Sequence, residues 1–130
     1  MRMPRGQCRR HRGQEPCTCM MGNLYRFVEP LILYLLRERG ATHGYDLIDE
    51  LNRMSFTDSK IEAGGLYRNL RRLEEEGALT STWDVAGPGP ARRQYSITPL
   101  GIQRLEEWLT ILDHLADSMK EFVQKARPCP

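Results

Sequence analysis

No run of eighteen apolar residues occurs anywhere in this 130-residue chain. The longest, PLILYLL at 30–36, falls well short of the roughly 20 residues that a membrane-spanning helix needs. The N-terminus is basic, but no apolar segment follows it, so a secretory signal is not expected and a cytoplasmic protein is. The chain lacks a phosphate-binding P-loop and a Gly-x-Gly-x-x-Gly turn. Ser55, Ser59, Ser81, Ser96 and Ser118 lie outside any nucleophile-elbow motif. AGPGPA at 86–91 is interrupted by prolines and reads as a turn. The acidic run Glu74–Glu76 reads as a solvated helix end rather than a pair of catalytic carboxylates. No enzymatic activity is therefore expected. Net charge is also small, +2, and by itself names no partner.

The distribution of charge says more. Residues 1–22 hold Arg2, Arg5, Arg9, Arg10 and Arg12 against Glu15 alone. The local balance is about +4, which leaves the rest of the chain near about −2. A basic arm on a nearly neutral body is a common layout for nucleic-acid binders, and also that of a solvated tail.

Three regions follow from composition and periodicity: a basic Cys/His-containing arm at 1–22, a globular body at 23–98, and a long helix at 99–127. In the body, Leu24, Phe27, Val28, Leu31, Ile32 and Leu35 form a helical stripe, with Pro30 suited to a first turn and Gly40 as the stop. THGYDLIDELNRM predicts a second helix, capped by Thr42, with Leu47, Ile48, Leu51 and Met54 facing inward. GGLYRNLRRLEEEG at 64–77 predicts a third, with Leu66, Leu70 and Leu73 on one face and Gly77 as its terminator. Thr80–Val85 and Arg93–Thr98 are rich in β-formers and bracket AGPGPA, which predicts a short two-stranded hairpin.

Thr98-Pro99 predicts a capped start for the last helix. Beyond it Leu105, Trp108, Leu112, Leu115, Met119, Phe122 and Ala126 recur at alternating 4/3 spacing, a heptad pattern. About 28 helical residues would extend about 42 Å. A body this small cannot cover that stripe, so Leu105, Trp108, Leu112, Leu115, Met119 and Phe122 are expected to dimerise the chain, with the first helix contributing.

The third helix carries its charges in the wrong order. Arg68, Arg71 and Arg72 sit in its first half and Glu74–Glu76 in its last turn, whereas the helix dipole favours the reverse by about 0.3–1 kcal/mol per well-placed charge. Arg71–Glu75 and Arg72–Glu76 can pair, but such surface pairs are weak. Three helices followed by a hairpin is the order of a winged helix-turn-helix, whose third helix enters the major groove of double-stranded DNA. The arginines are then placed for DNA rather than for helix stability. Arg68, Arg71 and Arg72 with Asn69 are expected at base edges, being residue types suited to guanine and adenine. Lys60, Tyr67, Arg92 and Arg93 are expected at the backbone. The expected fold is mainly α with a small hairpin and a long C-terminal dimerisation helix. The alternatives are a winged-helix protein-interaction module, or a metal or thiol redox sensor that binds no operator directly.

From about Leu24 to Phe122 the chain resembles the PadR family of bacterial transcriptional regulators. The resemblance rests on EPLILYLLRERGATHGYDLIDEL, GGLYRNLRRLEEEGAL and RRQYSITPLGIQRLEEW, in that order and spacing. It implies a dimeric winged-helix repressor whose recognition helix and wing bind a palindromic operator. It also implies a long helix that dimerises against the partner's first helix. Many such regulators respond to a small ligand, phenolic acids in the founding members and hydrophobic drugs in others. Tyr67 matches the family's tyrosine at the start of the recognition helix, near the DNA backbone; its other reading is packing on Leu66 and Leu70. His43-Gly44-Tyr45 matches a structural element at the start of the second helix, with the His and Tyr fastening its end. Arg92 and Arg93 match the basic wing residues. Gly65 departs from the pattern, because members usually carry Thr or a similar cap there.

The arm lies outside that resemblance. Cys8, His11, Cys17 and Cys19 fall within twelve residues, and reduced thiols with a histidine suit tetrahedral zinc. Cys-x-Cys is tighter than the usual Cys-x2-Cys. Cys129 could replace His11 if a dimer brought the two ends together. A structural zinc site, a metal or redox sensor, and unligated thiols are the three readings of the arm.

Overall fold

Val28, Leu31, Ile32, Leu33, Leu35 and Leu36 are all buried, so the PLILYLL run is continuous because its helix is enclosed on nearly every side. The computed structural model describes residues 27–54 and 60–128. That first helix is α1 (Val28–Arg39), with Pro30 in its first turn, where no intrahelical donor is lost. β1 (Thr42–His43), α2 (Gly44–Met54), α3 (Ala63–Glu75), β2 (Leu79–Asp84), β3 (Arg92–Ile97) and α4 (Pro99–Ala126) follow. This is a winged helix-turn-helix extended by a long C-terminal helix.

Two expectations are corrected here. The sheet has three antiparallel strands in the order β1-β3-β2, not two. Thr42 opposes Tyr95 and His43 opposes Gln94. Thr42 is therefore strand rather than helix cap, and its hydroxyl donates to the Gly40 carbonyl at 3.0 Å. Two residues are too short a segment to show a strand's alternation. They pair because the turn at Gly40 returns the chain along the open side of β3.

The core joins Leu47 and Leu51 of α2, Leu66, Leu70 and Leu73 of α3, Leu79, Tyr95 and Leu105 to the buried face of α1. α3 ends as its sequence indicates. Gly77 takes φ +85, the Ala78 N–H donates to Leu73 and the Gly77 N–H to Glu74. These are the two bonds of a Schellman cap. Thr98 caps α4, its hydroxyl accepting from the Gly101 N–H at 3.0 Å and donating to the Gly77 carbonyl at 2.7 Å. One residue thus fixes where α4 leaves the body.

The heptad stripe divides along α4. Leu105 is 1% exposed and belongs to the chain's own core. Trp108 meets Phe27 edge to face, ring centroids 5.9 Å apart. The expectation that Leu105 serves dimerisation is corrected, because the chain's own core covers it; Trp108 is half-buried against that core. Leu112 and Leu115 are half-buried, and Met119 and Phe122 are 54% and 68% exposed. Among the described residues no helix is long and apolar enough to cross a membrane.

A buried carboxylate ties three helices together. Glu29 of α1 is 4% exposed. Its Oε1 accepts from Arg72 of α3 at 2.9 Å. Its Oε2 accepts from Arg104 of α4 at 3.0 Å and from the Trp108 indole N–H. Glu76 closes the cluster, accepting from Arg104 at 2.7 Å and from Arg72 at 3.1 Å. Taking a carboxylate out of water is unfavourable, and only a full set of donors makes it tolerable.

Glu29→Ala leaves a cavity and takes from Arg72 and Arg104 their buried anion, with only Glu76 remaining. We expect a loss of about 3 kcal/mol, read by thermal melting at fixed protein concentration as a Tm lower by on the order of 15 °C. An unchanged Tm would show the cluster to be dispensable. Glu76 generates a pH dependence. The Arg104 hydrogen bond, opposed by some burial and helped by Arg72, holds its carboxyl below the ordinary value. A depressed carboxyl stabilises the fold above the ordinary Glu range, about 4.3, and that contribution is lost as pH falls through the folded value. Wild type should therefore lose stability more steeply than Glu76→Gln below about pH 4.5 in urea titrations. Parallel acid profiles would contradict this.

Candidate nucleic-acid interface

α3 is amphipathic, and its outer face divides further by charge partner. Tyr67, Arg68 and Arg71 are exposed. Among the described residues, no salt bridge involves Arg68 or Arg71. Tyr67 lies over Gly44, where an added Cβ would come 2.9 Å from its ring and 3.2 Å from Leu70. Gly44 thus allows α2 and α3 to approach closely and seats Tyr67 at the edge of the crossing. Tyr67 therefore has both the packing role and an exposed edge. Gly64 and Gly65 fall in α3's first turn, where an added Cβ would come 3.5 and 3.7 Å from the Arg68 guanidinium, ordinary contact.

One expected base contact is corrected, that of Asn69, and Arg72 has partners in the protein itself. Asn69 is buried; its amide donates to the Gly65 carbonyl at 2.9 Å and its oxygen accepts from Arg72 at 2.9 Å. Arg72 is committed to Asn69, Glu29 and Glu76. Spacing explains both: 69 lies with Leu66, Leu70 and Leu73 on the inner side of the helix, and 72 on the flank next to 69 and 76. Only Arg68 and Arg71 of the three arginines face out uncompensated.

Lys60 is exposed just before α3. Its neighbour Ile61 is held from two sides by Asn52, whose amide oxygen accepts from the Ile61 N–H at 2.6 Å and whose amide donates to the Ile61 carbonyl at 3.3 Å. This tie fixes how α3 leaves the turn. Sequence reading missed it, because an Asn on the polar flank of a helix gives no signal of a partner nine residues on.

The wing is β2, β3 and the loop at 85–91. Arg92 and Arg93 occupy opposite faces of β3. Arg93 lies opposite Trp83, its guanidinium carbon 5.5 Å from the indole centroid. Its Nε donates to the Ser81 hydroxyl at 2.9 Å. Arg92 lies opposite Asp84. At the wing's base, His43 Nε2 is 2.9 Å from Asp84 and Nδ1 is 3.5 Å from Asp46. The Ala86 N–H, then His43, hold the Asp84 carboxyl below its ordinary value. His43 thus joins the start of α2 to the wing. Tyr45 does not fasten the helix end as expected: it is 71% exposed.

Cys8, His11, Cys17, Cys19 and Cys129 lie outside the described residues, and the zinc reading rests on their spacing alone. Among the described residues no group of His, Cys, Asp or Glu is arranged to hold a metal ion.

The family model of PadR-like transcriptional regulators matches residues 32–107, from α1 into the first turns of α4. The chain belongs to that family. The family is one of transcriptional regulators rather than of enzymes. Transcriptional regulator Rv3488 of Mycobacterium tuberculosis is 40% identical over 74 residues, 57% of this chain and 65% of that protein. Negative transcriptional regulator PadR of Bacillus subtilis is 28% identical over 102 residues, 78% of this chain and 56% of the relative. The chain spans less than two thirds of either relative's length. A PadR family regulator from Eggerthella lenta has a TM-score of 0.68 at 32% identity, covering 82% of this chain and 90% of that one. Bacillus subtilis PadR, solved in complex with operator DNA, has a TM-score of 0.56 at 29% identity, covering 65% of this chain and 47% of that one.

The division of α3 predicts a contrast between neighbours. Arg71→Ala should leave thermal stability within about 0.5 kcal/mol. Arg72→Ala, which strips donors from buried Glu29 and Asn69, should cost about 2 kcal/mol. Equal effects in paired denaturant melts would contradict the division.

Proposed function

We propose that this chain is a sequence-specific regulator of transcription, a repressor that binds double-stranded DNA as a homodimer on a palindromic operator. The observation that carries this reading is the outward face of α3. Arg68 and Arg71 stand there beside Tyr67 without ion pairs among the described residues, while Arg72, one residue on, is half-buried and engaged by Glu29, Asn69 and Glu76. Positive charge at a helix N-terminal half is unfavourable for the isolated helix and favourable against phosphate and guanine. Lys60 and the wing residues Arg92 and Arg93 extend the basic surface on either side. The PadR relative solved with operator DNA supports the reading, and the relative named as a negative regulator supports repression.

In this reading α3 enters the major groove, with Arg68 and Arg71 reaching base edges and Tyr67, Lys60, Arg92 and Arg93 holding the backbone. The exposed apolar residues of α4 support the dimer: Met119, Phe122 and Val123 are exposed along one side of it, with Leu112 and Leu115 half-buried on the same side. Such a stripe on one helix fits a second copy of the same helix. Two α3 helices would then meet successive major grooves about 34–36 Å apart. A small ligand or metal would act by favouring one separation of the two over another, which requires different affinity for the two dimer states. A regulator of this kind works where the DNA is, in the cytoplasm. The protein-interaction alternative gives the uncompensated Arg68 and Arg71 no task.

The test is binding to a duplex of about 30 base pairs, long enough for two half-sites, enriched by the wild-type protein from a randomised pool. Affinity should fall by about 10³–10⁵ between 50 and 200 mM salt if six to ten phosphates are neutralised. Arg68→Ala with Arg71→Ala should weaken binding by about a hundredfold or more. Sedimentation should give a mass of two chains. A flat salt response would sink the DNA reading, and a monomer the dimeric one.

A further inference from the structure

We propose that Glu74, on the last turn of α3, is a positioning residue. Acting through Ser81, it sets the guanidinium of Arg93 in the wing and so sharpens discrimination between operator and unrelated DNA. This rests on the DNA-binding reading above.

Glu74 sits where the helix dipole disfavours an anion, and unlike Glu76 it plays no part in the Glu29 cluster. Its partners lie in the wing. The Ser81 hydroxyl donates to Glu74 Oε2 at 2.6 Å, and the same oxygen of Ser81 accepts from Arg93 Nε at 2.9 Å. Glu74 Oε1 lies 3.6 Å from Arg93 Nη2. On the remaining side the guanidinium lies over the Trp83 ring, directly across the strand pair. Ser81 and Trp83 share one face of β2, and Arg93 and Tyr95 the same face of β3. Tyr95 is buried against the core, whereas Trp83 and Arg93, nearer the wing tip, are exposed.

The guanidinium is thus held at Nε, near Nη2 and across one face. Nη1 has no hydrogen bond or ion pair among the described residues. A free arginine side chain carries about 2 kcal/mol of rotamer entropy, part of which binding must otherwise remove. Here a carboxylate from α3 has already fixed it, and fixed it relative to the helix that carries Arg68 and Arg71. Arg92 is the contrast: it lies on the opposite face of β3 across from Asp84 and makes no ion pair among the described residues. Arg92 supplies charge, and Arg93 supplies charge in a register set by α3.

Glu74→Gln removes the charge but keeps an acceptor for Ser81. Ser81→Ala removes the relay and keeps the charge. Each is measured against the duplex enriched by wild type and against a scrambled duplex of the same composition, with circular-dichroism melting confirming that both variants fold. Glu74→Gln should lose about tenfold on the enriched duplex. On the scrambled duplex it should stay level or bind more tightly, since one negative charge has left a phosphate-facing surface. Ser81→Ala should lose discrimination in the same direction. A change of equal size on both duplexes, or on neither, overturns the inference while leaving the DNA reading intact. Wild type that neither discriminates nor responds to salt overturns both.

Discussion

Glu29 is the constraint on which the arrangement of helices depends. One buried carboxylate on α1 accepts from α3 through Arg72 and from α4 through Arg104 and Trp108. Leucine packing alone would let these helices slide, because apolar contact is not directional. A carboxylate with fixed acceptor directions does not allow that, since any shift strands a buried charge. The cluster therefore fixes how α3 is presented relative to α4. In the dimeric reading it also fixes how two recognition helices are spaced.

The same constraint explains the order of charge on α3. Arg72 and Glu76 are tied into the Glu29 cluster at the edge of the core, and Glu74 is tied to the wing. Arg68 and Arg71 remain as the outward residues. A run of three arginines that looks uniform along the sequence is therefore divided between two tasks by the helical turn. Asn69 lies on the inner side, where its amide bridges Gly65 and the Arg72 guanidinium.

Much of this was legible beforehand. The Thr98-Pro99 start of α4, the Gly77 stop of α3 and the paired strands around AGPGPA each carry a local signal that operates through the backbone. The third strand was not legible, because Thr42 and His43 become strand only through pairing with β3. The Glu29 cluster was not legible either: a Glu beside a Pro at a helix start reads as a solvated first-turn acid. Its partners are 43, 75 and 79 residues away. The heptad pattern of α4 is apolar and helical, but periodicity cannot tell which part of a stripe the chain covers itself. Leu105 and Trp108 turn inward only because α1 lies beneath them.

The central claim, that α3 presents Arg68 and Arg71 to DNA while Arg72 is held on Glu29, can be observed side chain by side chain. The most direct measurement is the NMR spectrum of the arginine Nε–Hε groups, recorded as the enriched duplex is added to the intact protein. The account predicts that the Arg68 and Arg71 resonances shift, while those of Arg72 and Arg104 stay where they are. Movement of Arg72 with Arg68 and Arg71 silent would contradict it.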